Sequence, residues 1–289
     1  MVFVHGGAVT LGTALAERVP AFVDAGYVRA RPSRSCVCAL QSSLTTTPCV
    51  QPGQAGGEAI AAVLYGEHSP NARLPYTLYA DDFAAQRPNP SDHWLDSPPF
   101  GLTYMYWRGT PPLWSFGHGM SYSDVTHSFD AQRIHMAVGQ GDEEAEVGMT
   151  VRRASAETDG FHGAVAKFSA LLFCRFLGPE LGEGVASQPL RKLVAFEKVA
   201  LRHGESRAVV LRPSLMRGLA AVREDGAYVL RAGEYELTSP GAGGGGEAVA
   251  RLGLDGGRGE AAGAALRVDA YLPAARRREA KAAGASVHL

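Results

Sequence analysis

Apolar positions recur along this chain with two periods, and the change from one to the other divides it. Residues 1–4 (MVFV) form an all-apolar run that reads as a short buried strand, after which His5-Gly6-Gly7 turns the chain. Leu15, Val19, Phe22 and Val23 recur at helical spacing and predict a helix over 13–25 in spite of Pro20. A second helix is predicted behind Gly53, Gly56 and Gly57. Glu58 suits its positive first turn, Ile60, Val63 and Leu64 make its apolar stripe, and Gly66 stops it. Ser69-Pro70-Asn71 is turn chemistry, and Leu74 to Tyr79 reads as a strand. Strand, helix, helix, strand is the tail of an α/β domain, so residues 1–79 are expected to be a partial α/β sandwich, its C-terminal half.

From residue 126 the period drops to two. Strand-like runs at 126–137, 145–151, 164–176, 190–201, 206–212, 226–231 and 234–238 predict an antiparallel β-sandwich over 126–240. Phe168, Leu171, Phe173, Leu193, Phe196 and Val199 are expected in its core. The stretch from Ala227 to Leu237 is expected to be a closing hairpin that turns at Gly233. Residues 80–125, rich in proline and aromatics, read as the linker between the two units. Beyond Pro240 large apolar residues thin out, so residues 241–289 are expected to be a disordered tail.

One segment follows neither period. Residues 28–51 (VRARPSRSCVCALQSSLTTTPCVQ) are rich in Ser, Thr, Arg and Cys, and a structureless loop of that length is foreign to a compact domain. Deleting it joins Ala25-Gly26-Tyr27 to Pro52-Gly53-Gln54. A retained intron accounts for this insert; a genuine surface loop is the alternative, because long surface insertions cost little stability.

Composition narrows the function classes. The 289 residues are 46% hydrophobic and 20% charged, with a formal net charge of −1, which gives no global field to gather nucleic acid or anionic lipid. No apolar run is long enough to span a bilayer, and MVFVHGGAVT lacks the basic start and long apolar core of a signal peptide. Cys36, Cys38 and Cys49 lack the spacing and the fourth ligand of a zinc site and read as unpaired thiols in a loop, while Cys174 stands alone in an apolar run.

Three blocks carry a resemblance. PGQAGGEAIAAVLYG…SPNARLPYTLY, starting at Pro52, resembles the end of the α/β sandwich domain of glycoside hydrolase family 3. GLTYMYW from Gly101 and LWSFGHGMSY from Leu113 resemble that family's "tYRyy…ypFGyGLSYt" block, with Met105 where the family usually has Arg. PLRKLVAFEKVAL from Pro189, with Gly204-Glu205-Ser206 behind it, resembles the family's fibronectin type III-like domain. Leu171-Leu172-Phe173 taken with that block points to the β-xylosidase branch. The resemblance implies hydrolysis of O-glycosyl bonds in xylan or other plant-type polysaccharide, a carbohydrate partner, no cofactor, and relatives that are commonly secreted.

It also implies where the chemistry lies. Retaining glycosidases act with two carboxylates about 5 Å apart, one as nucleophile and one as acid/base. In the family the nucleophilic Asp lies in an N-terminal (β/α)₈ barrel, and the acid/base, where the α/β domain supplies it, lies earlier than the part present here. Neither has a counterpart on this sequence, so no catalytic residue is assigned. His5 is the one candidate substrate contact, because ligand sites of α/β sheets gather at the carboxyl ends of strands; a plain loop histidine is the alternative. Asp81 and Asp82 are neighbours that point apart and read as solvated, as does the acidic run Glu143, Glu144, Glu146. Tyr104, Tyr106, Trp107, Trp114, Phe116 and Tyr122 could hold a sugar but fit interdomain packing better. Gly117-His118-Gly119-Met120-Ser121 lacks the spacing of a serine-nucleophile elbow, and neither a phosphate-binding loop nor a His-Glu-x-x-His helix occurs. Two functions follow: the C-terminal portion of a β-xylosidase-like or β-glucosidase-like hydrolase that is inactive as this isolated chain, or a non-catalytic fibronectin type III-like binding or scaffold module.

Overall fold

The computed structural model describes residues 2–5, 21–24, 55–87, 95–96, 99–137, 144–178, 188–222, 228–242, 246–255 and 265–268. The insert at 28–51, with Cys36, Cys38 and Cys49, lies outside the described residues, as does the basic stretch from Ala274 to Ala283. Strands β1 (Val2–His5) and β2 (Ala21–Asp24) pair in parallel, with Val2 opposite Ala21 and His5 opposite Asp24. The β2 strand corrects the helix expected over 13–25 at its C-terminal end. Phe22 and Val23 follow Pro20, which ends a helix readily, and a β-branched and aromatic pair suits an extended chain.

Helix α1 (Gly56–Leu64) forms as its sequence predicts, with Glu58 in its first turn. Gly66, at a φ of 76°, closes it: its N–H bonds to the Val63 carbonyl at 3.1 Å and that of Glu67 to the Ala62 carbonyl at 2.8 Å. Only a left-handed residue allows both bonds at once, which is why glycine stands there. The apolar stripe is narrower than the spacing implied, for Leu64 is exposed. The strand expected at Leu74 to Tyr79 is an extended segment held at its ends. Leu78 bridges Trp114, and Leu74 exchanges backbone bonds with His118 and Gly117. Two short helical turns, α2 (Phe83–Gln86) and α3 (Thr103–Tyr106), follow in the linker.

The β-sandwich is present. A three-stranded sheet has the order β3 (Val125–Phe129), β5 (Val147–Arg153), β8 (Ser206–Leu211). A five-stranded sheet has the order β4 (Arg133–Ala137), β12 (Ala248–Asp255), β11 (Gly233–Ser239), β6 (Val165–Phe176), β7 (Lys192–Arg202). All pairs are antiparallel except β12 with β4. The core between the sheets is built from alternate positions: Val147, Met149 and Val151 of β5 face Phe168, Ala170, Leu172 and Cys174 of β6, with Tyr235, Leu237, Ala250, Leu252 and Leu254 beside them. This is the inward alternation of an aligned β-sandwich. A single π-helical turn, Leu215–Leu219, packs Leu215 and Met216 into the same core.

Three expectations are corrected. The stretch after Pro240 is not all tail: β12 sits in the middle of the five-stranded sheet, and β13 (Ala265–Val268) pairs with β10 (Tyr228–Arg231), which also pairs with β9 (Ala221–Val222). The hairpin expected between Ala227 and Leu237 does not form. One residue, Ala232, separates β10 from β11, too few for a reverse turn, so the chain turns a corner into another sheet. The Tyr235 hydroxyl donates to the Arg231 carbonyl at 2.8 Å and fixes that corner.

The third concerns Phe196, expected in the core and found 71% exposed, with Leu193 half-buried. Leu172 pairs with Ala195 but Phe173 with Leu193, so Val194 is an extra residue in β7 and the face of every position changes there. Phe196 lies opposite Leu171, on the outer face. Leu171 and Phe173 are buried as expected, but on that outer face beneath the linker rather than between the sheets. A Phe196→Ser variant is therefore expected to keep its stability within about 0.5 kcal/mol by urea denaturation. A loss of several times that would show the ring to be buried.

Candidate functional site

The three sequence blocks meet at one junction, where the end of the α/β unit, the linker and the sandwich touch. The Leu74 N–H donates to the His118 carbonyl at 2.8 Å and the Gly117 N–H to the Leu74 carbonyl at 2.9 Å. The Ser69 hydroxyl lies 3.0 Å from that of Ser121 and accepts the Tyr122 N–H at 3.0 Å. The first two blocks are thus bonded to each other. The third joins through Leu190, whose N–H donates to the Met105 carbonyl, and Leu193, whose N–H donates to the Tyr104 hydroxyl at 3.3 Å. Arg191 donates to the Phe116 carbonyl and lies over the Phe173 ring, 4.8 Å from its centroid.

Aromatic packing consolidates this junction. Tyr104 stacks on Phe116 at 4.2 Å, and both meet Phe173 edge-on. Tyr79, Phe83 and Trp107 form a second cluster, with Trp107 buried and its indole N–H donated to the Thr110 carbonyl at 2.7 Å. The packing reading of these rings holds for Tyr104, Trp107 and Phe116. Gly117, at a φ of 83°, sits so close to the sandwich that a Cβ there would lie 3.0 Å from the Phe173 ring. Thr103 has a φ of 61°, an uncommon value for a β-branched residue, and its N–H donates to the Tyr79 hydroxyl at 2.9 Å. Nothing in the local sequence foretold that strain, since Gly101 is the residue there suited to it.

Arg73 ties the layers together. Its guanidinium donates to the carbonyls of Gly241, Pro240 and Ser169 at 2.7, 3.3 and 3.4 Å and lies over the Phe168 ring. Burial lowers this group to about 10. A second buried cation, Arg153, lies deeper. It pairs with Asp159, both fully buried, and donates to the carbonyls of Phe161, Gly163, Ala164 and Leu201 and to the His203 ring. Asp159 also accepts from the Ser123 hydroxyl and from the N–H groups of Asp124 and Phe161. Burial alone would raise its carboxyl; the bonds from Arg153, Asp124, Ser123 and Phe161 outweigh it and hold the group below the ordinary range.

The arrangement does not assemble glycosidase chemistry among the described residues. Asp159 is the one buried carboxylate there, and its lone pairs are taken. Glu234 and Glu236 are side by side on β11 but are ion-paired with Arg133, Arg175 and Arg251 on an open sheet face. Asp82, expected to be solvated, is exposed and accepts bonds from Thr110 and Gln86. Glu144 is exposed too, and Glu146 pairs with Arg212 at the surface. His5 stands at the carboxyl end of β1 opposite Asp24; its side chain lies outside the described residues. Ser121 accepts from the Ser123 N–H inside a turn. Cys174 is buried and its thiol is pushed up to about 12, which leaves it unreactive. No group of three or more potential metal ligands occurs among the described residues, and no described helix is long and apolar enough to cross a membrane.

The glycosyl hydrolase family 3 C-terminal domain matches residues 47–122, and the fibronectin type III-like domain matches 172–239. "Probable beta-D-xylosidase 7" of Arabidopsis thaliana is 29% identical over 206 residues, covering 65% of this chain and 26% of that protein. The exo-1,4-beta-xylosidase xlnD of Aspergillus oryzae is also 29% identical over 206 residues, covering 64% and 24%. The chain thus spans about a quarter of the length of these curated relatives. Among solved structures, a GH3 exo-beta-xylosidase (XlnD) in complex with a xylobiose aziridine probe superposes with a TM-score of 0.65 at 21% identity, covering 92% of this chain and 32% of the other. Residues 47–122 thus carry the glycosyl hydrolase family 3 C-terminal domain and residues 172–239 the fibronectin type III-like domain, and the curated relatives similar over this span are β-xylosidases.

Proposed function

We propose that this chain is the C-terminal, structural portion of a β-xylosidase-like glycoside hydrolase, and that it does not cleave glycosides by itself. The observation that carries this reading is the junction. All three family blocks are spent on joining layers, and Asp159, the buried carboxylate among the described residues, is saturated by Arg153 and its neighbours. Hydrolysis needs a positioned nucleophile and a positioned acid on one bond, and the loss of such a pair costs orders of magnitude in rate. The role left for this portion is to brace a catalytic domain of the barrel type and to place its strand ends beside it, His5 among them.

The test is release of a chromogenic aglycone from aryl β-xylosides and β-glucosides by the purified 289-residue chain at high concentration. No turnover above background is expected, whereas a fusion that places a family barrel ahead of it in cis is expected to turn over. Robust hydrolysis by the chain alone would overturn the reading. Weak binding of xylo-oligosaccharide without turnover in either form would favour a binding module instead.

A further inference from the structure

Arg73 raises a question that the junction alone does not answer: a half-buried cation is held there with no counter-ion among the described residues. Its described partners are three carbonyl oxygens and the face of Phe168, none of them a carboxylate. Carbonyl dipoles and a ring face suit a guanidinium, but they leave its full charge in place. Space for its stem is made by Gly119, where a Cβ would come within 2.9 Å of the Arg73 Cδ.

Two imidazoles stand in its field. His127, on β3, is half-buried, lies 5.3 Å from the Phe168 ring that Arg73 covers, and sits opposite Val151 of β5. Its Nε2 lies 2.9 Å from the Ser239 carbonyl, which can only accept, so that nitrogen carries the proton. His118 belongs to the turn that bonds to Leu74, and its ring stacks on Trp114. The segment after Ser69, the 117–119 turn, the face of β6 and the end of β11 pack around these groups, and among the described residues Arg73 is the charged group set against both rings: it covers the Phe168 ring beside which His127 lies, and its Cδ lies against Gly119, next in the chain to His118.

We propose that Arg73, His118 and His127 form an acid-sensitive latch between the α/β end and the β-sandwich, closed while both imidazoles are neutral and released when they take up protons. At neutral pH one cation occupies the junction and the carbonyls suffice to hold it. Acid would place three positive groups there with no facing carboxylate among the described residues. The segment that gives way is the one hung on Arg73, residues 69–78, together with its partner turn, while the sandwich core has no part in the change.

The sign follows from the two imidazoles. Burial and then the charge of Arg73 lower both; at His127 the bond to Ser239 opposes this in part. A group lowered in the fold contributes stability that is fully present above the unfolded value, about 6.5 for histidine, and is lost as pH falls toward the folded one.

Hydrogen exchange of the full chain at about pH 7.5 and about pH 5, corrected for intrinsic rates, reads the latch directly. Peptides covering 69–78 and 117–122 are expected to lose protection roughly tenfold at the lower pH, with β5 and β6 unchanged. The double variant His118→Gln, His127→Gln is expected to keep that protection at both values. Arg73→Gln is expected to loosen the segment equally at both. If the double variant does not fold, His118→Gln alone, at the less buried of the two rings, is expected to halve the pH effect. NMR titration of the two rings in the unmodified chain gives an independent check. Equal protection at the two pH values, a double variant that loosens as the parent does, or either ring titrating at or above about 6.5 would each overturn the latch.

Discussion

Asp159→Ala is expected to destabilise the fold by about 3–5 kcal/mol, because it leaves the Arg153 guanidinium buried without its counter-charge. Both side chains are fully buried, and Arg153 binds four backbone carbonyls, those of Phe161, Gly163 and Ala164 in the loop before β6 and that of Leu201 on β7. In a thermal scan this corresponds to a fall of roughly 10 °C for a unit of this size. The double variant Arg153→Met, Asp159→Leu is expected to lose clearly less than the two single variants added together, since neither charge is then stranded. Additive losses in that cycle would show that the two groups act through separate contacts and not as a pair. As pH falls, the contribution of Asp159 is present above the ordinary carboxylate range and disappears on descent through its lowered folded value.

Leu252→Ala is expected to cost about 3 kcal/mol, and removal of residues 246–289 to abolish the cooperative transition altogether. Leu252 is fully buried in β12, between Ala250 and Leu254 on its core face and opposite Tyr235 of β11. Without β12, which separates them, β4 loses its ladder partner and β11 keeps only β6. Val249→Ala on the same strand, at a side chain 43% exposed, serves as the control and is expected to change stability by less than about 0.5 kcal/mol. A chain ending before residue 246 that still unfolded cooperatively at a similar urea midpoint would mean that β12 is an accessory.

How much of this was legible in the sequence depends on how loudly each element signals. β5 and β6 were visible because large apolar residues crowd them: Val147, Met149 and Val151 on one, the run from Ala170 to Cys174 on the other. β12 was missed because its inward positions, Ala248, Ala250, Leu252 and Leu254, include two alanines and its neighbours are glycines. The alternation is present there but faint. Phe196 was misplaced for a different reason. Leu193, Phe196 and Val199 are three apart, and a strand alternates every second residue, so with Val199 inward opposite Phe168 the Phe196 ring falls on the outer face opposite Leu171. The junction was legible as three family blocks, though not as one place. That Ser69 would meet Ser121, or Leu193 meet Tyr104, depends on contacts between residues far apart in the chain. The absence of an assigned catalytic residue rested on the family's order of domains and not on any property of the chain's carboxylates.

Three arginines lie on three rings of one strand: Arg73 over Phe168, Arg191 over Phe173, and Arg231 over Phe176 at 3.6 Å. Each fastens a different part of the chain to β6, and ring quadrupoles share in holding each of them. Such contacts are short-ranged and sheltered from water, so dissolved ions reach them poorly. Raised ionic strength weakens the exposed pairs of Glu234 and Glu236 with their arginines but has little purchase on β6. The junction therefore carries its own tolerance to salt, set by where its cations are lodged and not by how many charges the surface displays.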